Sequence, residues 1–352
     1  MQARSFTAIR KKAIFQAEII LLFPLFAATV QGATTVQGIY FEHKDWELAC
    51  DNTRTCRAVG YQDDEGKPVS MLLTRKAGPN TPVAIELQAL IDSFDEEAPA
   101  EMRFQIGELV IPELPLKKEL PQEITVKLLA VMPDSEQAIL SREKQQWLLS
   151  LAGMKAVLLK MDEFQGRIGT PGALIQKSDK PEDKVLPPIP EKIFIIPPIP
   201  PTTAQDKDVL AALENFFDQE CDTRELDREY CKRSRSVYRV SKDKLLVSQP
   251  AWQAAYNMGS SFWLLNDKPP YHPRPAQNDE EADEGASGYD NGVIFSVNKG
   301  RGLGDCLYYA SWVWTGNAFE KAEQGSTGMC KGFPGGAWEL PTTVSRVINK
   351  NE

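Results

Sequence analysis

The first half of the chain alternates short apolar runs with polar turns, and this pattern predicts a β-rich domain over residues 38–175. Residues 46–50 and 55–59 are apolar runs on either side of a polar turn at 51–54, which is typical of a β-hairpin. Four later runs predict further strands, at residues 69–74, 83–89, 102–111 and 123–131. Short strands at this spacing favour a sandwich or a barrel.

One segment of the first half has the spacing of a helix instead. It follows Ser150, a residue type that caps helix N-termini well, and Gly166 is placed to end it. Five apolar side chains share one face of this predicted helix: Leu151, Met154, Val157, Leu158 and Met161. Because such a stripe usually packs into a core, we favour packing over a ligand groove.

A proline-rich segment divides the chain. Residues 181–201 contain eight prolines. Since proline fixes φ and removes the backbone donor, we expect no helix or central strand there and predict a semi-rigid linker at residues 181–204. The apolar run 193–196 inside it is too hydrophobic for a free linker, so we expect it to pack on a neighbouring domain.

Residues 205–352 mix helical and strand patterns and predict a second domain. Residues 206–217 have helical spacing, residues 237–240 and 245–248 predict a hairpin, and 306–314 a strand that ends at the turn signal Gly316-Asn317. The predicted fold class is α+β and mainly β. It comprises a sandwich-like N-terminal domain with one helix, the proline-rich linker, and a C-terminal α+β domain stapled by disulfides.

The N-terminus has the order of a secretory signal peptide over residues 1–32, cleaved after Gly32. Glu18 and Pro24 interrupt its apolar run, which argues against an uncleaved membrane anchor. Cleavage removes four basic residues and one acidic residue, which leaves 36 Lys and Arg against 48 Asp and Glu and a net charge of −12. We therefore expect neither nucleic acid nor, after cleavage, a membrane as a partner.

Six cysteines behind an export signal predict a disulfide framework in an oxidising compartment outside the cytosol. Each cysteine is closest along the chain to one partner, and the first and last pairs bracket predicted hairpins, where antiparallel pairing brings the two residues together. The predicted bridges are Cys50–Cys56, Cys221–Cys231 and Cys306–Cys330.

Several strings in this sequence are shared with a known family. They are DWELACDN at 45–52 with TCRA at 55–58, SLAG at 150–153, MDEFQGRIGT at 161–170, AYN at 255–257, GLGDC at 302–306, and WVW at 312–314 with Gly316 and Phe319. They resemble a family of exported bacterial proteins with six cysteines, catalogued as domain of unknown function eleven-seventy-six. The resemblance covers essentially the whole mature chain and implies the compartment, but no activity and no functional residues. The first half also resembles, more distantly, the invasion-associated locus B domain, which implies a β-sandwich.

No catalytic, cofactor-binding or metal-binding residue is predicted, because each candidate has a simpler explanation. His43 and His272 lack a nucleophile motif or metal-ligand spacing, so we expect both at the surface. The glycines at 300, 302 and 304 precede a predicted strand, whereas a dinucleotide loop precedes a helix. The acidic loop 279–290 offers carboxylates to calcium, but Glu284 stands where an EF-hand needs glycine, and a solvated loop is favoured.

Three aromatic residues are the candidate binding surface: Tyr308, Trp312 and Trp314 share one face of the predicted strand 306–314 by alternation. Exposed, they would form a platform for sugars or a partner protein. The opposite face is also apolar, and a strand that is apolar on both faces is usually central, so burial in the core is the favoured alternative.

Together with the resemblance, these observations favour a non-enzymatic, two-domain exported protein of the envelope of a Gram-negative bacterium, which binds a protein or a glycan in the periplasm and needs no cofactor. The alternatives are an envelope hydrolase with unidentified carboxylates and a purely structural envelope component. A hydrolase should show a cleft with two facing carboxylates or a perturbed ionisable group, whereas a binding protein should show an exposed aromatic or apolar patch.

Overall fold

The structure is a computed structural model that describes residues 36–91, 101–222, 224, 226–277 and 286–350. The predicted signal peptide and the acidic residues 279–284 lie outside these ranges, so both remain predictions. In the described part the fold class is confirmed, because the chain is mainly β, with 41% strand and 17% helix.

Sheet A is an antiparallel meander whose neighbouring strands follow one another along the chain. It consists of β1 (Ile39–His43), β2 (Trp46–Cys50), β3 (Cys56–Tyr61), β4 (Val69–Arg75) and β5 (Val83–Ala89). The predicted hairpin is confirmed, with Cys50 directly opposite Cys56. The predicted strands at 69–74 and 83–89 are β4 and β5.

Sheet B has the order β7-β6-β8-β9, with β6 (Glu101–Ile106), β7 (Leu109–Pro115), β8 (Gln137–Arg142) and β9 (Gln145–Ser150). The single strand predicted at 102–111 is wrong, because the chain reverses at Gly107, where φ is 54°, and forms the hairpin β6–β7. The strand predicted at 123–131 is also wrong, since this segment is helix α1 (Gln122–Val131).

Helix α2 (Met154–Phe164) confirms the helix predicted after β9, but Ser150 is not its N-cap. Gly153 caps it instead, with φ of 100°. A Cβ atom at this position would lie 1.9 Å from the carbonyl oxygen of His43, so only glycine fits. The N-terminal region thus has two helices, where the sequence predicts one.

The strands β2, β3 and β4 of sheet A are buried on both faces. One face shares a core with sheet B and with α1 and α2. The other face is covered by the segment 327–340 near the C-terminus, through Phe333 and Leu340. Strand β2 is therefore buried over all five of its residues.

The C-terminal half contains two more antiparallel sheets that share a core. Sheet C has the order β11 (Ser236–Arg239), β12 (Lys244–Gln253), β13 (Met258–Asn266), β14 (Arg274–Pro275). Sheet D has the order β15 (Gly288–Asp290), β16 (Val293–Lys299), β17 (Leu307–Trp314), β18 (Phe319–Ser326), β19 (Leu340–Thr343). The predicted hairpins β11–β12 and β17–β18 are confirmed.

Three short helices pack beside sheet C: α3 (Asp208–Ala212), α4 (Glu214–Asp222) and α5 (Arg228–Ser234). The helix predicted at 206–217 is thus interrupted at Leu213, but its apolar face points inward as expected, with Val209 and Phe217 buried against sheet C. None of the helices in the described residues is both long and apolar enough to cross a membrane.

The proline-rich segment is anchored to the rest of the protein through its apolar run. Its apolar run is strand β10 (Lys192–Ile196), which pairs in parallel with β20 (Ser345–Asn349). Phe194 and Ile196 are buried against Val313 and Ala322 of sheet D, as expected for so apolar a run. By its internal contacts, the chain from Val36 to Glu352 is one compact unit. The domain boundary at 181–204 remains a prediction.

Three disulfides join the six cysteines, in the pairs that the sequence predicts: Cys50–Cys56, Cys221–Cys231 and Cys306–Cys330. The last one lies just beyond the paired residues of β17 and β18 and fixes the start of the segment that covers sheet A.

Candidate functional site

The predicted platform on β17 does not form. Trp312 and Trp314 are buried, at 4% and 0% exposure, in the core between sheets C and D, because β17 is the central strand of sheet D. For these two residues the structure agrees with burial in the core, which the sequence favours over an exposed platform. Tyr308, at the N-terminal end of the strand, is 58% exposed and remains a candidate binding residue.

Tyr308 lines a cleft of about 570 Å³ between β1 and the strands β17 to β19. Strand β1 contributes Tyr40, Phe41 and Glu42, and the opposite wall consists of Tyr308, Gln324, Gly325, Ser326, Leu340 and Thr342. Tyr40 is 50% exposed. The volume falls within the range of small-molecule and peptide pockets, which are mostly apolar with a few polar groups.

A buried carboxyl group lies directly behind this cleft. Glu42 on β1 is opposite Glu47 on β2, and Tyr40 is diagonal to Glu47 on the same face of sheet A. The Tyr40 hydroxyl lies 2.9 Å from Oε2 of Glu42 and 3.0 Å from Oε2 of Glu47. Glu42 is exposed, whereas Glu47 has no exposed surface.

The second oxygen of Glu47 accepts two hydrogen bonds, from the Tyr61 hydroxyl and from the backbone N–H of Met329 at 2.8 Å. Burial raises the pKa of Glu47 above its ordinary value, although the hydrogen bonds from Tyr61 and Met329 act in the opposite direction. Burial raises the pKa of Tyr61 well above its ordinary value as well. Burial thus disfavours the charged form of both groups.

Proton counting supports a neutral Glu47. The hydroxyl of Tyr40 carries one proton, so it cannot donate fully to two carboxylates. Every polar atom is satisfied if Glu47 is protonated at Oε2 and donates to Tyr40, which in turn donates to Glu42. The result is a chain of hydrogen bonds from the interior to the cleft, which fixes the orientation of Tyr40.

The loop that supplies Met329 passes so close that one position must be glycine. Gly328 has φ of 88°, and a Cβ there would lie 2.1 Å from the Tyr61 hydroxyl oxygen and 2.9 Å from Oε1 of Glu47. Two residues further on, Cys330 is held by its disulfide. The loop is therefore fixed on both sides of Met329, which donates to the buried carboxyl group.

A second cleft, of about 370 Å³, lies beside the proline-rich segment. Tyr238 and Tyr289 line it, with ring centroids 4.7 Å apart, and burial raises the pKa of Tyr289 to about 12. Arg239 also lines this cleft, and its guanidinium group forms ion pairs with Asp206 and Asp267. Because these contacts already satisfy Arg239, this cleft has less chemistry to offer than the first.

The string at 161–170 forms a buried polar network instead of a site. Asp162 accepts from the backbone of Leu174 at 2.7 Å, and Arg167 donates to the carbonyl oxygen of Gly78 at 2.7 Å. Asp162 and Arg167 have no exposed surface. They cannot touch a ligand, so their role is to hold the segment after α2 onto sheet A.

The remaining candidates from the sequence do not form a catalytic or metal-binding arrangement in the described residues. His43 and His272 are exposed, as predicted. Among the described residues, one group of potential metal ligands comes together, Asp305 with Cys306 and Cys330, but both sulfur atoms belong to a disulfide and cannot ligate as thiolates. Glycines 300, 302 and 304 lie in the connection between β16 and β17, as predicted.

The model of a protein family described as "Protein of unknown function (DUF1176)" matches residues 40–345. The chain belongs to this family. It is also similar to an uncharacterised protein, YpfG, of Escherichia coli (strain K12), with 25% identity over 348 residues that cover 91% of this chain and 96% of the relative. No solved structure matches.

Tyr308 is a candidate named from the sequence and stays a prediction, whereas Tyr40, Glu42 and Glu47 are not among the candidates named from it. One signal was present, because Glu47 interrupts an otherwise apolar strand, WELAC, within the family string at 45–52. A strand that is apolar on both sides of a carboxyl group predicts burial of that group. Its partner Met329 lies 282 residues away, so no local pattern could show what satisfies it.

Proposed function

We propose that this protein is an exported, non-enzymatic binding protein of the cell envelope, which binds its partner in the cleft between β1 and β17–β19. The observation that carries the proposal is that Tyr40 and Tyr308, from two different sheets, are half exposed toward one cleft. Tyrosine offers contact area at low entropic cost together with a polar group, and it is enriched at binding sites for this reason.

The compartment is supported by the three disulfides, because such bonds persist in oxidising environments. We propose the periplasm, reached through cleavage of residues 1–32. The acidic balance of the mature chain is consistent with a partner other than nucleic acid.

The arrangement of carboxyl groups supports binding over hydrolysis. Hydrolysis of a glycosidic bond requires two carboxyl groups that both reach the substrate, but Glu47 is fully buried and Tyr40 stands between it and the cleft. Burial, and then the charge of Glu339, raises the pKa of Glu323, yet neither of these glutamates lines the cleft. Among the described residues that line the cleft, Glu42 is thus the single carboxylate.

Site-specific photocrosslinking in the periplasm of living cells tests this function. A photoreactive residue replaces Tyr308 in one variant and Val126 on α1 in the other, and the two positions are matched because each side chain is 58% exposed. We expect a discrete adduct from position 308 and none from position 126. Protease and glycosidase treatment of the adduct would identify a protein or a glycan partner.

Equal labelling from both positions, or none from position 308 in a protein with all three disulfides formed, would refute binding at this cleft. A disulfide assay on each variant shows that the substitution has not prevented folding.

A further inference from the structure

The cleft presents one charge, and that charge is negative. Of the described residues that line it, Glu42 alone is acidic and none is basic, and the others are tyrosine, aliphatic, aromatic or uncharged polar residues. Glu42 accepts one hydrogen bond, from Tyr40 at 2.9 Å to Oε2. In the described part of the chain no basic side chain pairs with it, so its carboxylate is available to an incoming cation.

The surroundings of Glu42 favour a cation in two ways. Tyr40 and Tyr308 have exposed ring surface in the same cleft, and aromatic rings attract ammonium and guanidinium groups. The mature chain carries a net charge of −12, which attracts cationic partners at long range. An anionic ligand would instead meet an unpaired carboxylate, without a compensating base in the lining.

The walls of the cleft favour an extended peptide as the carrier of this cation. Strand β1 is an edge of sheet A and lines the cleft, whereas the opposite wall is a face of sheet D, where Tyr308, Ser326 and Leu340 are cross-strand neighbours. Edge strands offer unpaired backbone groups to an added strand. Phe41, which is partly buried, provides apolar surface for the stem of a long side chain.

We propose that the partner is a protein that inserts an extended segment bearing a lysine or arginine side chain, whose cationic group pairs with Glu42 between Tyr40 and Tyr308. This inference rests on the proposed function of the cleft and adds the chemical class of its ligand. A cationic sugar would satisfy Glu42 too, but it would leave the edge of β1 unused.

Binding of peptide libraries to the purified mature protein tests the inference. The probes are acetylated, amidated pentapeptides, random except for a central Lys, Arg, Met or Glu, and an oligomer of glucosamine. We expect the Lys and Arg libraries to bind at least about tenfold more tightly than the Met library, as one charge-assisted hydrogen bond provides, with Glu weakest. The preference should decline at high salt.

The variant E42Q should lose the preference for Lys and Arg over Met, whereas the control E108Q, at an exposed residue in the turn between β6 and β7, should keep it. Equal binding of the Lys and Met libraries, or binding of the glucosamine oligomer alone, would overturn the inference but leave the cleft as a binding site. If peptides bind and Y308A does not weaken them, the proposed function fails as well.

Discussion

Substitution of Glu47 tests the structural core of the candidate site. Because this residue is buried, its protonation contributes to the pH dependence of the free energy of unfolding. The isosteric E47Q retains the hydrogen-bonding pattern of a protonated carboxyl group: its Oε1 accepts from Tyr61 and Met329, and its Nε2 donates to Tyr40. E47A removes the acceptor of two donors at a site without solvent access.

The magnitude for E47A follows from these contacts. Each donor that loses its partner in the interior costs about 1–3 kcal/mol, and the missing side chain adds a small cavity. We therefore expect E47A to lower the free energy of unfolding by about 3–5 kcal/mol. E47Q at acidic pH should differ from the wild type by less than about 1 kcal/mol, because the wild-type residue is then neutral as well.

The pH dependence has a definite sign. Burial raises the pKa of Glu47 in the folded state, so the folded protein binds this proton more tightly than the unfolded chain. The stabilisation from Glu47 is therefore fully present below the pKa of the unfolded chain and is lost as pH rises through the folded pKa, by at most about 1.4 kcal/mol per pH unit. The difference in unfolding free energy, E47Q minus wild type, should become more positive as pH increases.

Urea denaturation followed by tryptophan fluorescence, with the disulfides intact and between about pH 5 and pH 8, measures these differences. E108Q, at an exposed position, is the matched control and should follow the wild type at every pH. A difference between E47Q and the wild type that does not change with pH would show that Glu47 does not titrate as its burial requires. An E47Q protein that is several kcal/mol less stable near neutral pH would show that the native residue is ionised.

Three further predictions concern the framework. Replacing both Cys306 and Cys330 with serine opens a loop with a sequence separation of 24 and should cost about 3.5 kcal/mol in urea denaturation, whereas a negligible loss would contradict the importance of this bridge. F194A should destabilise the protein by about 3–5 kcal/mol and I195A, on the exposed face of the same strand, by less than about 1 kcal/mol. Limited proteolysis should cut within residues 181–206 but outside β10, since β10 is paired with β20, and first cuts inside the sheets would contradict the linker.

The sequence predicted those features of the fold that depend on neighbours along the chain. Cys50 and Cys56 flank a short polar turn, so the hairpin and its disulfide follow from one local pattern. Helix α1 was missed because its apolar residues fit two periods. Ile124, Val126 and Leu128 alternate as in a strand, but Ile124 and Leu128 also share a helix face, and in the structure both pack into the core of sheets A and B.

The site depends on contacts between distant parts of the chain, and no single window of sequence contains them. The two tyrosines of the cleft are on β1 and β17, and their approach is set by the segment 327–344, which crosses sheet A. This segment bonds to sheet A through Met329, through Trp338, which donates to Ser70 at 2.8 Å, and through Val344, which donates to Asn52 at 2.7 Å. Sequence periodicity records which faces are buried, but not which segment covers them.

The C-terminal segment joins the two predicted domains. The C-terminal segment is one of the two layers that cover sheet A, and it also carries the wall of the cleft formed by Leu340 and Thr342. Gly38 lies so close to it that a Cβ there would be 1.9 Å from the carbonyl oxygen of Thr342. A cleft between two sheets keeps its width only if both sheets are held in place. Here the buried Glu47, the disulfide at Cys330 and the close contact at Gly38 hold them, so the proposed binding cleft and the junction between the two sheets are stabilised by the same residues.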